Sequence, residues 1–451
     1  MTKFVITYGA LMISLAAGCT PVAGDLFTPS PVRNVTQIIP SQTIQLSPAV
    51  TATVEPSSFP TPTPTASVLQ TETSTIVKQR CLSISDTIPE GFLSGGSIVF
   101  WSQSGLYTLN SADKRLQLVP NSSIAGPDAK VSPNGRLLAF QTIETNQETN
   151  TSKPRLWLTA VDQPTSDPTS LTLNREWSGI VGWLDNDTLL LSPANRPRGT
   201  LLLFNRVDGQ IRELVPSFPN PYFGTDEHAD PGPSWDVVYD PTLTRAIYLK
   251  LANADGFPAV TLWDLNNGKA LWELGHPKAF DALVEPTWSI NGEQFVVAGQ
   301  KFTLNELMSN NQLLSESHFE LFIVNRDGHI NQSTSYSNGY DSIHIERLSW
   351  SPNGQYISFW MQFNNKGDLH LVLYNTTDQQ TTDYCIPNGG FAPTPLWSPD
   401  SKQLIVVREN SGKRQLVVVD VVHNTAVNVS NSVGPELSNL VQPVGWMDTT
   451  R

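Results

Sequence analysis

A repeat near 50 residues, four strands in each repeat and two incomplete ends that complete one another predict an all-β fold. It is a seven-bladed β-propeller closed by its N- and C-terminal strands and preceded by a disordered tether. The repeat is anchored at Val131, Trp183, Tyr239, Trp288, Trp350, Trp397 and Trp446, with spacings of 52, 56, 49, 62, 47 and 49 residues. Periods of this size mark solenoids or propellers. The strand content decides between them, because four-stranded units of ~40–50 residues are blades.

Each unit reads the same way. Trp350-Ser351-Pro352-Asn353-Gly354 is followed by the alternating strand Gln355 to Trp360, and Trp397-Ser398-Pro399-Asp400-Ser401 by Gln403 to Val407. Trp288-Ser289-Ile290-Asn291-Gly292 and Val131-Ser132-Pro133-Asn134-Gly135 lead into equivalent strands, while the copies at Trp183 and Tyr239 are degenerate. After a variable loop comes a second strand, such as Leu321-Phe322-Ile323-Val324, then a tight hairpin such as Asn325-Arg326-Asp327-Gly328. Asp-Gly and Asn-Gly favour such hairpins because both central residues tolerate positive φ. A short polar strand ends the unit. Ser97 to Ser102 and Leu106 to Leu109 read as later strands of a blade that lacks its first strand, and Val444-Gly445-Trp446 as a first strand without followers. Joined, they close the ring and remove an exposed edge. Because two copies are degenerate, six or eight blades remain compatible with the pattern.

These motifs resemble the TolB-type, WD-like propeller repeats also found in prolyl oligopeptidase and dipeptidyl peptidase propellers. The resemblance spans nearly all of 97–451. It implies a fold and little about activity, since propellers host many functions. It also implies that Asn134, Asn291, Asn353 and Asp400 are turn formers rather than catalysts, and that the Trp anchors pack between blades.

The residues before the repeats carry an address. Lys3 precedes an apolar run from Phe4 to Ala17, too short to cross ~30 Å of hydrocarbon and suited to a secretory signal. It ends in Leu15-Ala16-Ala17-Gly18-Cys19, which resembles a bacterial lipobox, although Leu lies one residue earlier than usual. Residues 1–18 are thus expected to be a signal peptide and Cys19 the lipidated residue, an extracytoplasmic anchor at the cell membrane. Residues 19–80 are expected to form the tether: 8 Pro, 7 Ser and 11 Thr fall among the 48 residues from Thr28 to Thr75, a composition unable to bury a core. The propeller is expected over 81–451. If Cys19 carries lipid, Cys81 and Cys385 remain. An even pair in an oxidising compartment is a disulfide candidate, though two free thiols would look the same.

Charge narrows the function. Asp plus Glu number 41 against 28 Lys plus Arg, a net charge of −13, so the chain lacks the basic footprint of a nucleic-acid binder. The long insertions Gln141–Pro154, Pro216–Gly232 and Gln300–Ser317, with a shorter one at Leu251–Pro258, all fall on one face, where loops on a rigid scaffold concentrate binding. Within 216–235, the residues Tyr222, Phe223, Asp226, Glu227, His228, Asp230 and Trp235 form the candidate binding loop for a sugar or peptide. Its carboxylates match no metal-ligand spacing, so neither metal nor cofactor is expected. The sequence contains no Gly-x-Ser-x-Gly elbow, His-Glu-x-x-His, Walker loop or dinucleotide glycine pattern. The expectation is a monomeric, lipid-anchored module that binds a protein or glycan at the cell envelope. The alternative is a propeller hydrolase or lyase whose catalytic carboxylates are scattered over blades.

Overall fold

The computed structural model describes residues 76–93, 96–146, 151–160, 168–194, 196, 199–219, 237–251, 258–275, 284–300, 319–390, 393–430 and 442–447. Two short strands come first, β1 (Val77–Gln79) and β2 (Ile84–Ser85). Blade 1 begins with β3 (Ser97–Ser102), β4 (Gly105–Leu109) and β5 (Leu116–Leu118). Blade 2 holds β6 (Lys130–Val131), β7 (Leu137–Asn146), β8 (Thr151–Ala160) and β9 (Thr169–Leu171). Blade 3 holds β10 (Trp177–Trp183), β11 (Thr188–Pro193), β12 (Leu201–Asn205) and β13 (Ile211–Leu214). Blade 4 is β14 (Val237–Tyr239), β15 (Arg245–Leu251), β16 (Pro258–Asp264) and β17 (Lys269–Gly275). Blade 5 is β18 (Thr287–Trp288), β19 (Gln294–Gln300), β20 (Phe319–Asn325) and β21 (Ile330–Gln332). Blade 6 is β22 (Ile343–Trp350), β23 (Tyr356–Phe363), β24 (Lys366–Asn375) and β25 (Thr381–Pro387). Blade 7 is β26 (Leu396–Trp397), β27 (Gln403–Asn410), β28 (Lys413–Asp420) and β29 (Thr425–Asn428). The last strand, β30 (Gln442–Met447), returns to blade 1 as its inner strand.

The ring is therefore seven-bladed and closed where its ends meet. Val99 pairs with Gly445 and Ile98 with Trp446 across an antiparallel ladder. The degenerate copies at Trp183 and Tyr239 are full blades 3 and 4.

The sequence reading needs correction at the N-terminus. Val77–Gln79, placed by composition in the tether, pairs in parallel with β25, and β2 pairs in parallel with β29. Blades 6 and 7 thus gain a fifth, outer strand. Val77 is buried within the cluster between blades 5 and 6, which rewards the departure from the tether pattern. Residues 1–75, with the expected signal peptide, Cys19 and most of the tether, lie outside the described residues.

Apolar alternation places the cores between blades. Val296 and Phe319 of blade 5 pack with Ile345 and Phe359 of blade 6, and Ile405 and Val418 of blade 7 with Ile98 and Phe100 of blade 1. The Trp anchors knit the inner strands together. Each indole N–H donates to the preceding blade's carbonyl one residue before that blade's own anchor: Trp183 to Lys130, Trp288 to Val238, Trp350 to Thr287, Trp397 to Ser349 and Trp446 to Leu396, at 2.9–3.3 Å. The two exceptions have physical substitutes. The Tyr239 hydroxyl donates to Gly199 O, and Val131 packs so closely on Gly445 that a Cβ there would lie 2.8 Å from a Val131 methyl.

The Ser-Pro-Asn-Gly turns share one hydrogen-bond pattern. In blade 6, Ser351 Oγ donates to Asn353 Oδ1 at 2.7 Å while Tyr356 N donates to Ser351 Oγ at 2.8 Å. Blade 7 places Ser401 (φ 62°) where the other turns have Gly. That hydroxyl accepts from Asn353 N of blade 6 at 2.9 Å, a contact glycine could not make.

Trp397 tests the indole ring of contacts. Its N–H also lies 3.1 Å from Ser358 Oγ. Trp397→Phe keeps most of the apolar area but removes the indole donor that Ser349 O and Ser358 Oγ share, leaving them only their bond to each other at 3.3 Å, so urea unfolding should show a loss of about 0.5–1.5 kcal/mol. A change within error would mean that packing alone locks the blades.

Candidate binding face

The two faces of the ring are chemically different. On the face of the Ser-Pro-Asn-Gly turns, polar groups are used between blades. Asn134 N donates to Asn186 Oδ1 at 2.9 Å. Arg326 of blade 5 reaches the buried carboxylate of Asp240 in blade 4 at 3.0 Å and donates to Gly292 O at 2.9 Å. The opposite face carries the connections from second to third strands and the links between blades.

The candidate loop springs from that second face. Its residues Tyr222, Phe223, Asp226, Glu227, His228, Asp230 and Trp235 lie outside the described residues, but the stem leading to them is anchored. Phe218 stacks on Tyr248 of blade 4 with ring centroids 4.4 Å apart, and the Tyr248 hydroxyl donates to Pro219 O at 3.3 Å. Of the other insertions, 147–150, 252–257 and 301–318 also lie outside the described residues. Gln141–Pro154 departs from the loop expectation, because β7 and β8 run out as a ladder to the pair Asn146–Thr151. Polar cross-strand contacts hold it: Arg155 to Glu144 at 2.7 Å, Trp157 Nε1 to Thr142 Oγ1 at 2.9 Å, and the Thr145 and Ser152 hydroxyls at 3.0 Å. Such pairs substitute for an apolar stripe.

On blade 3 this face has a cavity of about 280 Å³ lined by Arg175, Glu176, Arg196, Leu202 and Glu213 among others. Arg196 pairs with Glu213 at 3.2 Å, while Arg175 and Glu176 are exposed. Both signs of charge sit within one small concavity, which suits a polar ligand better than an apolar one.

The inner strands add a second charged group. Glu285 stands two residues before β18, Arg347 lies in β22 and Lys130 in β6. Blades 2 and 5 stand on opposite sides of the ring, so Lys130 acts on Glu285 across the central channel. Desolvation raises the Glu285 carboxyl above its ordinary range, and Arg347 and Lys130 oppose the rise. Arg347 has φ 56° at an irregularity between Glu346 and Ser349, and such bulges re-aim side chains. Beside it, a hydrogen bond with His344 at 2.8 Å holds Glu346 below its usual range. Arg347 thus lies within electrostatic reach of two carboxyls, one that burial raises and one that hydrogen bonding lowers. By contrast the fully buried Glu320 is structural, accepting from Thr334 Oγ1, Tyr336 N and Ser337 N at 2.7–2.9 Å.

Sequence reasoning missed Lys130, Glu285 and Arg347, which share no local spacing because three blades supply them. Their one signal is a charge within or beside an inner strand, one or three positions before an anchor. Cys81 and Cys385 are joined in a disulfide with Cα atoms 4.8 Å apart. Among the described residues one group has metal-ligating composition, His370, Asp383 and Cys385 on β24 and β25 of blade 6. Also among the described residues, no helix is long and apolar enough to cross a membrane.

No family model matches the chain, and no curated protein matches it. Solved structures similar to it include TolB from Acinetobacter baumannii, 10% identical over 80% of this chain and 87% of that one, with a TM-score of 0.42. An oligogalacturonate lyase from Vibrio parahaemolyticus is 12% identical over 74% and 84%, TM-score 0.46. The β-propeller domain of the Trilobed protease from Pyrococcus furiosus is 13% identical over 79% and 99%, TM-score 0.46.

Proposed function

We propose that this protein is a lipid-anchored, extracytoplasmic propeller that binds a protein or glycan on the face opposite its Ser-Pro-Asn-Gly turns. The asymmetry of the two faces carries this reading. One face uses its turn residues to bond blade to blade. The other holds the charged cavity of blade 3 and the anchored stem of the 216–235 loop. The lipobox-like Leu15 to Cys19 and the Pro/Thr-rich stretch after it supply the anchor and the reach.

The test uses the full chain expressed in a bacterium. The wild type is expected to partition with membranes and to take up radiolabelled palmitate, and Cys19→Ala to lose both. In pull-downs from envelope extracts and on glycan arrays, deleting Pro216–Gly232 should reduce capture at least tenfold. Palmitate labelling that survives Cys19→Ala would overturn the anchor, and unchanged capture after the deletion would overturn the site. New reducing ends released from a captured glycan, and lost in Glu285→Gln, would replace this reading with the hydrolase or lyase alternative.

A further inference from the structure

The outer edge of blade 6 gathers four side chains that the binding face does not use. Cys385 lies in β25 and is bonded to Cys81, which sits between β1 and β2. The main chain on either side of Cys81 is also hydrogen-bonded to β25: Arg80 N donates to Asp383 O at 2.8 Å and Leu82 N to Tyr384 O at 3.2 Å. Opening the S–S bond leaves both thiols side by side whenever the strap is closed, and a metal bound by both would hold it closed. Behind them the Asp383 carboxylate is 1% exposed. Its Oδ1 accepts from Cys385 N at 2.7 Å, its Oδ2 faces His370 Nδ1 at 3.2 Å, and Cys385 Sγ stands 3.9 Å from Oδ2. The ligand atoms of His370, Asp383 and Cys385 all lie within 4.8 Å of one another.

The backbone is shaped for this grouping. Cys385 has φ 53°, in the left-handed region. It sits in a bulge where β25 spends three residues between Asp383 and Pro387 against one of β24 between His370 and Val372. An outlier of this kind on a strand points to a requirement at that position.

We propose that this corner is a redox-gated zinc site, in which Cys81, Cys385, His370 and Asp383 bind one Zn²⁺ once the disulfide is reduced. A dithiol reductant supplies the electrons: one of its thiolates attacks a disulfide sulfur, its second thiol resolves the mixed disulfide, and it leaves oxidised by two electrons. Cys81 and Cys385 leave as thiols, having gained two electrons and two protons. On zinc binding both thiols lose their protons, imidazole coordinates through Nδ1 as its Nε2–H tautomer, and Asp383 coordinates as the carboxylate.

The donor set fits this ion. Zinc takes four ligands tetrahedrally, sulfur at about 2.3 Å and nitrogen or oxygen at about 2.0–2.2 Å, which sets neighbouring donors roughly 3.3–3.8 Å apart. The present 3.2 Å and 3.9 Å separations bracket that range; the His370–Cys385 pair, within 4.8 Å, has to close further, and Cys81 joins the three from its place beside Cys385 once the S–S bond opens. Two thiolates and an imidazole select against calcium and magnesium, which favour oxygen. In the oxidised chain, Cys385 Sγ is bonded to sulfur and the set is incomplete.

The experiment takes the full-length protein, oxidised or reduced with a phosphine, and titrates Zn²⁺ against a chromogenic chelator, with Co²⁺ as the spectroscopic surrogate. One equivalent is expected to bind after reduction, with the thiolate-to-cobalt and visible bands of a tetrahedral site, and none at comparable affinity before it. His370→Ala, a half-buried position whose loss spares the core, and Cys81→Ser should each weaken binding at least tenfold. Absence of binding after reduction would overturn the proposal. So would equal affinity in both variants and the wild type, or binding that ignores the redox state. Circular dichroism of the reduced protein should be unchanged, and a fold lost on reduction and not regained with zinc would also overturn it.

Discussion

Ending the chain at Val441 is expected to leave no cooperatively folded propeller. The missing strand β30 is the inner strand of blade 1, so β3 would lose its pairs from Ser97–Met447 to Trp101–Gln442. Trp446, 3% exposed, would leave the cluster it shares with Ile98, Ile405 and Val418, and Leu396 O would lose its indole donor. Removing a buried Trp side chain alone costs about 3–5 kcal/mol, and the unpaired β3 backbone adds more. Against a typical net stability of about 5–15 kcal/mol, the sum is decisive. An opened ring also exposes a hydrophobic edge strand that invites association. Size-exclusion chromatography should show aggregates, and thermal melts should lack a sharp transition. A circular permutant carrying 442–451 ahead of Ser97 should regain a monomeric peak, because the same ladder forms from the other end of the chain. A truncated protein that melts like the wild type would show that the ring does not depend on its closing strand.

That dependence was readable because its signals are local. Val444-Gly445-Trp446 reads as a first strand without the partners of its blade, and Ser97 to Leu109 as later strands of a blade without its first. Repeated turn chemistry also made blades 5, 6 and 7 plain. Three features were hidden, each for a physical reason. The strap β1 and β2 is three and two residues long, too short for periodicity to register, and it is stabilised by edges 304 and 342 residues away in sequence. The β7–β8 extension alternates polar residues whose partners, such as Glu144 with Arg155, become visible only once the register is known. The Glu285, Arg347 and Lys130 group needs the curvature of the ring, which no spacing encodes. The Cys81–Cys385 link was visible as a leftover pair, but what brings the two sulfurs together is the parallel register of Val77 with Thr381 and the bonds that continue it.

Replacing both Cys81 and Cys385 with Ser is expected to cost about 2–5 kcal/mol. The link spans 304 residues of sequence, so in the unfolded chain it restrains a very long loop, and the chain-entropy argument puts the effect toward the upper end. The local side of the change points the same way. The strap is held by three Cα pairs at β1 and two at β2, with Arg80 reaching Asn424 Oδ1 at 2.6 Å. That is little to offset about 1–2 kcal/mol of ordering entropy per residue. Without the staple the strap should open far more often than the blades, uncovering the outer edges of β25 and β29. Calorimetry should report a melting temperature about 3–6 °C lower, from roughly 2 cal/mol/K of unfolding entropy per residue in a domain of this size. Hydrogen exchange should rise at least tenfold over Val77–Ser85 and stay unchanged in blades 2 to 4. A shift under about 1 °C with a still-protected strap would mean that backbone pairing alone fastens the N-terminus, and that the disulfide contributes nothing to the fold.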